Sequence, residues 1–150
     1  MSFYYIGSSG NHNQYNFYIS GKEALIHDLE IYHPINGTFD GGGSAITDGS
    51  SVFVNVPYNG TISGAVLLAD ITGSVILDVW KGTYANYPLN TGHTAVTGAN
   101  AVKLSINNDI KSQQSNFTGW NSQVSAGDIV GYKVNGITGI TWLSAQLKVY

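Results

Sequence analysis

Residues 61–88, TISGAVLLADITGSVILDVWKGTYANYP, constrain this chain more than any other stretch. Val75, Leu77 and Val79 alternate with Ile76, Asp78 and Trp80. That period of two belongs to a strand with one buried face and not to a helix. Thr72-Gly73-Ser74 reads as a turn joining two strands, residues 61–71 and 75–81. Val66, Leu68, Val75, Leu77 and Val79 are the side chains expected to serve the core. Gly64, inside the first strand, marks a bulge or a close backbone approach. An aromatic loop follows, closed by Pro88.

Strand signals recur through the rest of the chain. The first twenty residues are rich in Tyr, Asn, Ser and Gly, with one short strand expected at residues 15–19. The segment is either an arm ordered against a neighbour or an edge strand. Residues 24–32, ALIHDLEIY, fit helix or strand, and the flanking Gly21 and Pro34 with the β-rich remainder favour strand. Residues 36–51, NGTFDGGGSAITDGSS, read as a glycine-rich loop. In the next strand Val52, Val54 and Val56 alternate with Phe53, Asn55 and Pro57, and Asn59-Gly60 is the best two-residue hairpin signal. Residues 89–101 read as a polar loop, residues 102–106 and 109–117 as two short strands, and residues 129–134 and 137–149 as a final pair around Asn135-Gly136. Many strands with short turns and no convincing helix describe an all-β chain. The expected fold is a single antiparallel β-sandwich, jelly-roll-like, with about eight main strands; a sandwich core of seven Greek-key strands is the alternative. Residues 1–23 form an N-terminal arm or edge segment and residues 24–150 the sandwich domain.

A chain of 150 residues suits one domain, which buries roughly 70% of its unfolded surface. With no cysteine, neither disulfides nor a thiolate metal site are available. Charged residues make up 10% of the chain, arginine is absent and the net charge is -3. Nucleic-acid binding needs clustered cations, so no nucleic-acid partner is expected. The N-terminus lacks the basic and apolar regions of a signal peptide, and no run reaches the ~18 apolar residues of a membrane span. A protein made in the cytoplasm, with no membrane partner, is expected. The sequons at Asn36 and Asn59 read as turns, and the third is at Asn116.

Few residue groupings point to chemistry. His27 and His33 stand about 20 Å apart along a strand, too far to share a metal unless it bends. His12 and His93 are isolated. Asp40 and Asp48 lie in glycine-rich turns of the kind calcium favours, but their spacing matches no known calcium loop. No nucleophile elbow, phosphate loop or zinc-protease motif occurs, and no carboxylate pair is singled out. The chain is therefore expected to be neither an enzyme nor a cofactor protein. Asp78, between apolar neighbours, reads as a paired carboxylate at a sheet margin. The aromatics say more, because tyrosine and tryptophan give rigid contact area with a polar handle. Trp80, Tyr84 and Tyr87 cluster around one loop, and these three with Trp120 are the candidate residues for a subunit interface or a glycan contact.

SVILDVWKGTYANYP at residues 74–88, the Leu104-Ser105 region, Thr118-Gly119-Trp120 and VSAGDIV at residues 124–130 together resemble a β-rich domain of tailed-bacteriophage virion proteins. Head-fibre, decoration and tail-fibre-like chains carry that domain. The resemblance spans residues 52–149 and is most specific at DVWKGTYANYP. The step from Gly127 to Val130 is also similar to trimeric jelly rolls of the complement and tumour-necrosis-factor type. The resemblance implies a multimeric, in particular homotrimeric, β-sandwich displayed on a virion, without known catalysis. The chain has no collagen-like or coiled-coil stalk, which favours a compact protein on a capsid or tail surface. The function implied is a capsid decoration or cement protein that binds the major capsid or another virion protein. The alternative is a tail-fibre or baseplate module that recognises host-surface glycan.

Overall fold

The computed structural model describes residues 15–19, 22–26, 32–90 and 103–150. They fall into two compact units, one ending at Ile31 and one running from Tyr32 to Tyr150. In the first, β1 (Tyr15–Ile19) pairs antiparallel with β2 (Lys22–Ile26). β1 has the span expected of it. The strand expected over residues 24–32 coincides with β2 as far as Ile26. Residues 27–31 with His27, His12, and the polar loop from residue 91 onward with His93 lie outside the described residues.

The second unit is all-β. Its strands are β3 (His33–Asp40), β4 (Ser51–Asn55), β5 (Gly60–Thr83), β6 (Leu104–Gln114), β7 (Gln123–Val124), β8 (Asp128–Thr138) and β9 (Trp142–Val149). They form one antiparallel sheet of seven strands, nearly closed into a barrel. The expected sandwich or jelly roll is compatible with this shape.

β5 organises the sheet. Along one side its first half, from Ile62 to Ala69, pairs with β9, and its second half, from Ser74 to Thr83, pairs with β8. β6 follows its other side between Ala65 and Leu77. β9 carries β3 and β8 carries β4, giving the order β3-β9-β5-β8-β4. Because β5 bends, these two wings face each other and enclose the core. Tyr132 on β8 is fully buried and donates a hydrogen bond of 2.6 Å to the carbonyl of Ile35 on β3. Alternation supplies the inward side chains, most regularly Leu143, Ala145, Leu147 and Val149 on β9, all at 0% exposure.

Thr72-Gly73-Ser74 is not a turn, because β5 continues through it as one 24-residue strand. The register passes from Leu68 opposite Lys111 to Gly73 opposite Asp109, so residues 69–72 stand opposite Ile110 alone. The result is a bulge that bends the strand instead of reversing it. Glycine is needed at 73 because a Cβ there would lie 2.4 Å from the Thr138 carbonyl oxygen. Asn135-Gly136 is likewise a bulge inside β8, opposite Ile76, with Gly136 at φ +91°. β8 and β9 are therefore not a hairpin, and β5 lies between them.

Asn59-Gly60 links β4 to β5 without pairing them, because β8 intervenes. Asn36 and Gly37 belong to β3, so the glycine-rich loop begins only after Asp40. The two strands expected over residues 102–117 are one, β6, with Asn108 at φ +48°. In β5 the inward residues are Ala65 and Leu67; Val66 is only half-buried and Leu68 is exposed. A bulge at Ser63, between the Ile62–Val149 and Gly64–Lys148 pairs, accounts for the shift in phase. The irregularity expected at Gly64 is thus present.

Candidate functional site

The outer face of the β4-β8-β5 wing carries a second, smaller apolar cluster. Alternation turns Trp80 away from the core that Val79 enters. Phe53 of β4 pairs with Gly131 of β8, and Gly131 pairs in turn with Trp80 of β5. Two rings thus flank a residue without a side chain. A Cβ on Gly131 would stand 2.8 Å from Phe53 Cε1 and 3.6 Å from Leu89 Cδ1. Leu89 fills the gap, and Trp80, Leu89 and Ile129 are buried together with Phe53 against them. Lys133 places its ammonium 5.2 Å from the centre of the Trp80 ring. Trp80 is therefore covered by its own chain.

Leu89 anchors the loop that follows β5. Tyr84–Asn86 make one 3-10 turn, closed by the Tyr87 N–H donating to the Tyr84 carbonyl at 3.2 Å. Thr83 Oγ1 donates to Asn86 Oδ1 at 2.6 Å. The Tyr87 ring stands edge-on to Phe53, 5.3 Å between centres and 86° between planes. Tyr84 remains 78% exposed and Tyr87 54%. Between them lies a cleft of about 260 Å³ lined by Phe53, Val54, Asn55, Tyr84, Tyr87 and Ile129.

The structure thus brings Tyr84 and Tyr87 to one cleft, lays Trp80 in the cluster behind it, and places Trp120 elsewhere. Trp120 stands edge-on to Phe117, 4.7 Å between centres, and packs against the main core. Phe53, Asn55 and Ile129 complete the cleft and escaped sequence reasoning, because strand pairing brings them there. Phe53 and Asn55 do share one face of β4 in the sequence alternation, which was the one available signal.

Asp78 is a paired carboxylate. Its Oδ1 accepts from Lys103 Nζ at 2.6 Å and its Oδ2 from Asn135 Nδ2 at 3.0 Å. It sits where β6 stops pairing with β5, just beyond the Leu77–Leu104 pair. Asp70 spans the turn into β9, accepting from the Trp142 N–H at 3.0 Å, from the Thr141 N–H at 3.2 Å and from the Thr141 hydroxyl. The Thr141 side-chain bond, then the backbone bonds, hold its carboxyl down at about 2.

Asp40 and Asp48 are committed to the backbone. Asp40 Oδ1 accepts from the Gly42 N–H at 2.8 Å, and Asp48 Oδ1 from the Gly136 N–H at 2.6 Å. Among the described residues no three His, Asp or Glu side chains come together in a way that could hold a metal. His33 stacks on Tyr58, 4.6 Å between ring centres. No helix among the described residues is long and apolar enough to cross a membrane. Comparison with protein-family models, curated proteins and solved structures finds no match.

Proposed function

We propose that this chain is a structural protein of a bacteriophage virion, made in the host cytoplasm. In this reading it decorates the capsid as a homotrimer and works by binding alone. The observation that carries the reading is an exposed apolar surface around the bend of β5. Leu68 at 47% exposure, Ile71 and Ile76 of β5, Ile110 of β6 and Trp142 of β9 at 39% all present large apolar side chains outward. Leu68 pairs with Ser144, so Trp142 is its diagonal neighbour on the same face. Large apolar side chains left exposed on neighbouring strands are candidates for an interaction site.

Among the described residues β6 pairs with β5 alone, which leaves its other edge open to a further strand. Asp109 and Lys111 flank Ile110 on that edge, offering both signs of charge to a second copy. The resemblance of residues 52–149, most specific at 78–88, to virion proteins implies the setting and the homotrimer. A partner that binds only the assembled shell stabilises it by mass action.

Imaging of intact particles with the chain labelled tests the assignment, together with heating of particles that have and lack it. Density or label on the shell, and shells that survive higher temperature when the chain is bound, support it. Label confined to the tail, or no change in shell stability, contradicts it.

A further inference from the structure

We propose that the cleft between Phe53, Asn55, Tyr84 and Tyr87 binds a single neutral pyranose ring. The proposal stands apart from the assembly reading, since the cleft is complete within one chain.

The cleft is built before any ligand arrives. Leu89 is held over Gly131, Tyr87 lies edge-on to Phe53, and the Thr83–Asn86 bond fixes the turn that carries Tyr84. Such a loop spends little further conformational entropy on binding. Yet Tyr84 is left 78% exposed, with its ring unused by the fold. The lining also offers three polar groups, the two phenol hydroxyls and the Asn55 carboxamide. None of the three makes a hydrogen bond within the described residues.

An aromatic face beside free donors and acceptors matches a sugar ring, which offers C–H groups on one face and hydroxyls around its rim. Charge narrows the class. Every lining residue is uncharged. The Lys133 ammonium is over Trp80 and that of Lys81 is bound to the Gln123 carbonyl. A phosphate, sulfate or sugar carboxylate would leave water and find no cation, and an ammonium would find no carboxylate. A nucleobase would stack, but its backbone needs a basic groove that this cleft lacks. The volume of about 260 Å³ is below the range for larger ligands and suits one ring.

Saturation-transfer NMR on the full chain tests this with methyl glycosides of glucose, galactose, mannose and N-acetylglucosamine, and with glucuronic and N-acetylneuraminic acids as anionic counterparts. Affinity near 1 mM is expected for one small site. Transfer to the ring C–H protons of at least one neutral glycoside is predicted, with none to the acids. Tyr84→Ala should weaken binding about threefold to tenfold, the worth of one aromatic contact, without lowering the melting temperature. Asn55→Ala should weaken it comparably. No transfer from any neutral glycoside, a preference for the acids, or unchanged transfer in both variants would overturn the proposal.

Discussion

Gly37 lies directly beneath the ring of Tyr132. A Cβ on Gly37 would stand 2.6 Å from Tyr132 Cδ2 and 2.9 Å from Cε2, too close for any carbon. The contact joins β3 to β8 across the interior, and the same ring donates its hydroxyl proton to Ile35. Gly37→Ala must push a fully buried ring aside, at a cost of about 1–3 kcal/mol. Tyr132→Phe keeps the ring but removes the hydroxyl's bond to the Ile35 carbonyl in the core, costing about 0.5–1.5 kcal/mol. Urea denaturation of both variants checks this, and either one matching the parent contradicts the role given to the contact.

Tyr132 also sets an upper pH limit. Burial raises its phenol above the ordinary value of 10, so the folded protein keeps the proton when the unfolded chain would release it. The stabilisation is fully present below pH 10 and is lost as pH rises beyond it. Urea midpoints should therefore fall above pH 10, and Tyr132→Phe should flatten that fall. An equally steep fall in the variant would assign it to other groups.

Asp70 acts at the opposite end of the scale. Its carboxyl is lowered from 3.8 to about 2 by the Thr141 hydroxyl and the backbone amides around it. The contribution is present above pH 3.8 and is lost as pH falls through about 2. Carbon-detected NMR titration should find this carboxyl titrating near 2 and returning toward 3.8 in Thr141→Val. A normal value in the parent chain would show that the turn into β9 is held otherwise.

Trp80 serves the outer cluster and not the surface. Trp80→Ala removes a buried indole beneath Leu89 and beside Gly131, at a cost of about 3–5 kcal/mol. Chemical denaturation should show that loss, and near-ultraviolet circular dichroism should show the aromatic loop loosened. A fully stable variant would mean that the loop needs no support from the indole.

The all-β class was legible in the sequence, but several strand limits and all the strand partners were not. Alternation marks β9 correctly because every second side chain from Leu143 to Val149 enters the core. Asn-Gly and Thr-Gly-Ser mislead because glycine serves turns, bulges and close approaches alike, and only the partner shows which. Gly73 answers to the Thr138 carbonyl and Gly37 to the Tyr132 ring, residues far away in the chain. The exposed Leu68 and the inward Ala65 reverse what hydrophobicity alone selects, since the bulge at Ser63 sets the phase. In the same way the Trp80–Tyr87 loop was visible as a cluster, while Phe53 and Ile129 join it only through the register of β4, β8 and β5.

In the proposed homotrimer, the apolar surface around the bend of β5 joins copies of this chain. Sedimentation equilibrium of the full chain across the micromolar range tests it most directly, alongside Leu68→Lys. That substitution adds a charge at an exposed position and leaves the core untouched. A parent trimer that dissociates to monomer in Leu68→Lys, with an unchanged urea midpoint, is the predicted result. A monomeric parent, or a Leu68→Lys variant that associates as the parent does, would contradict it.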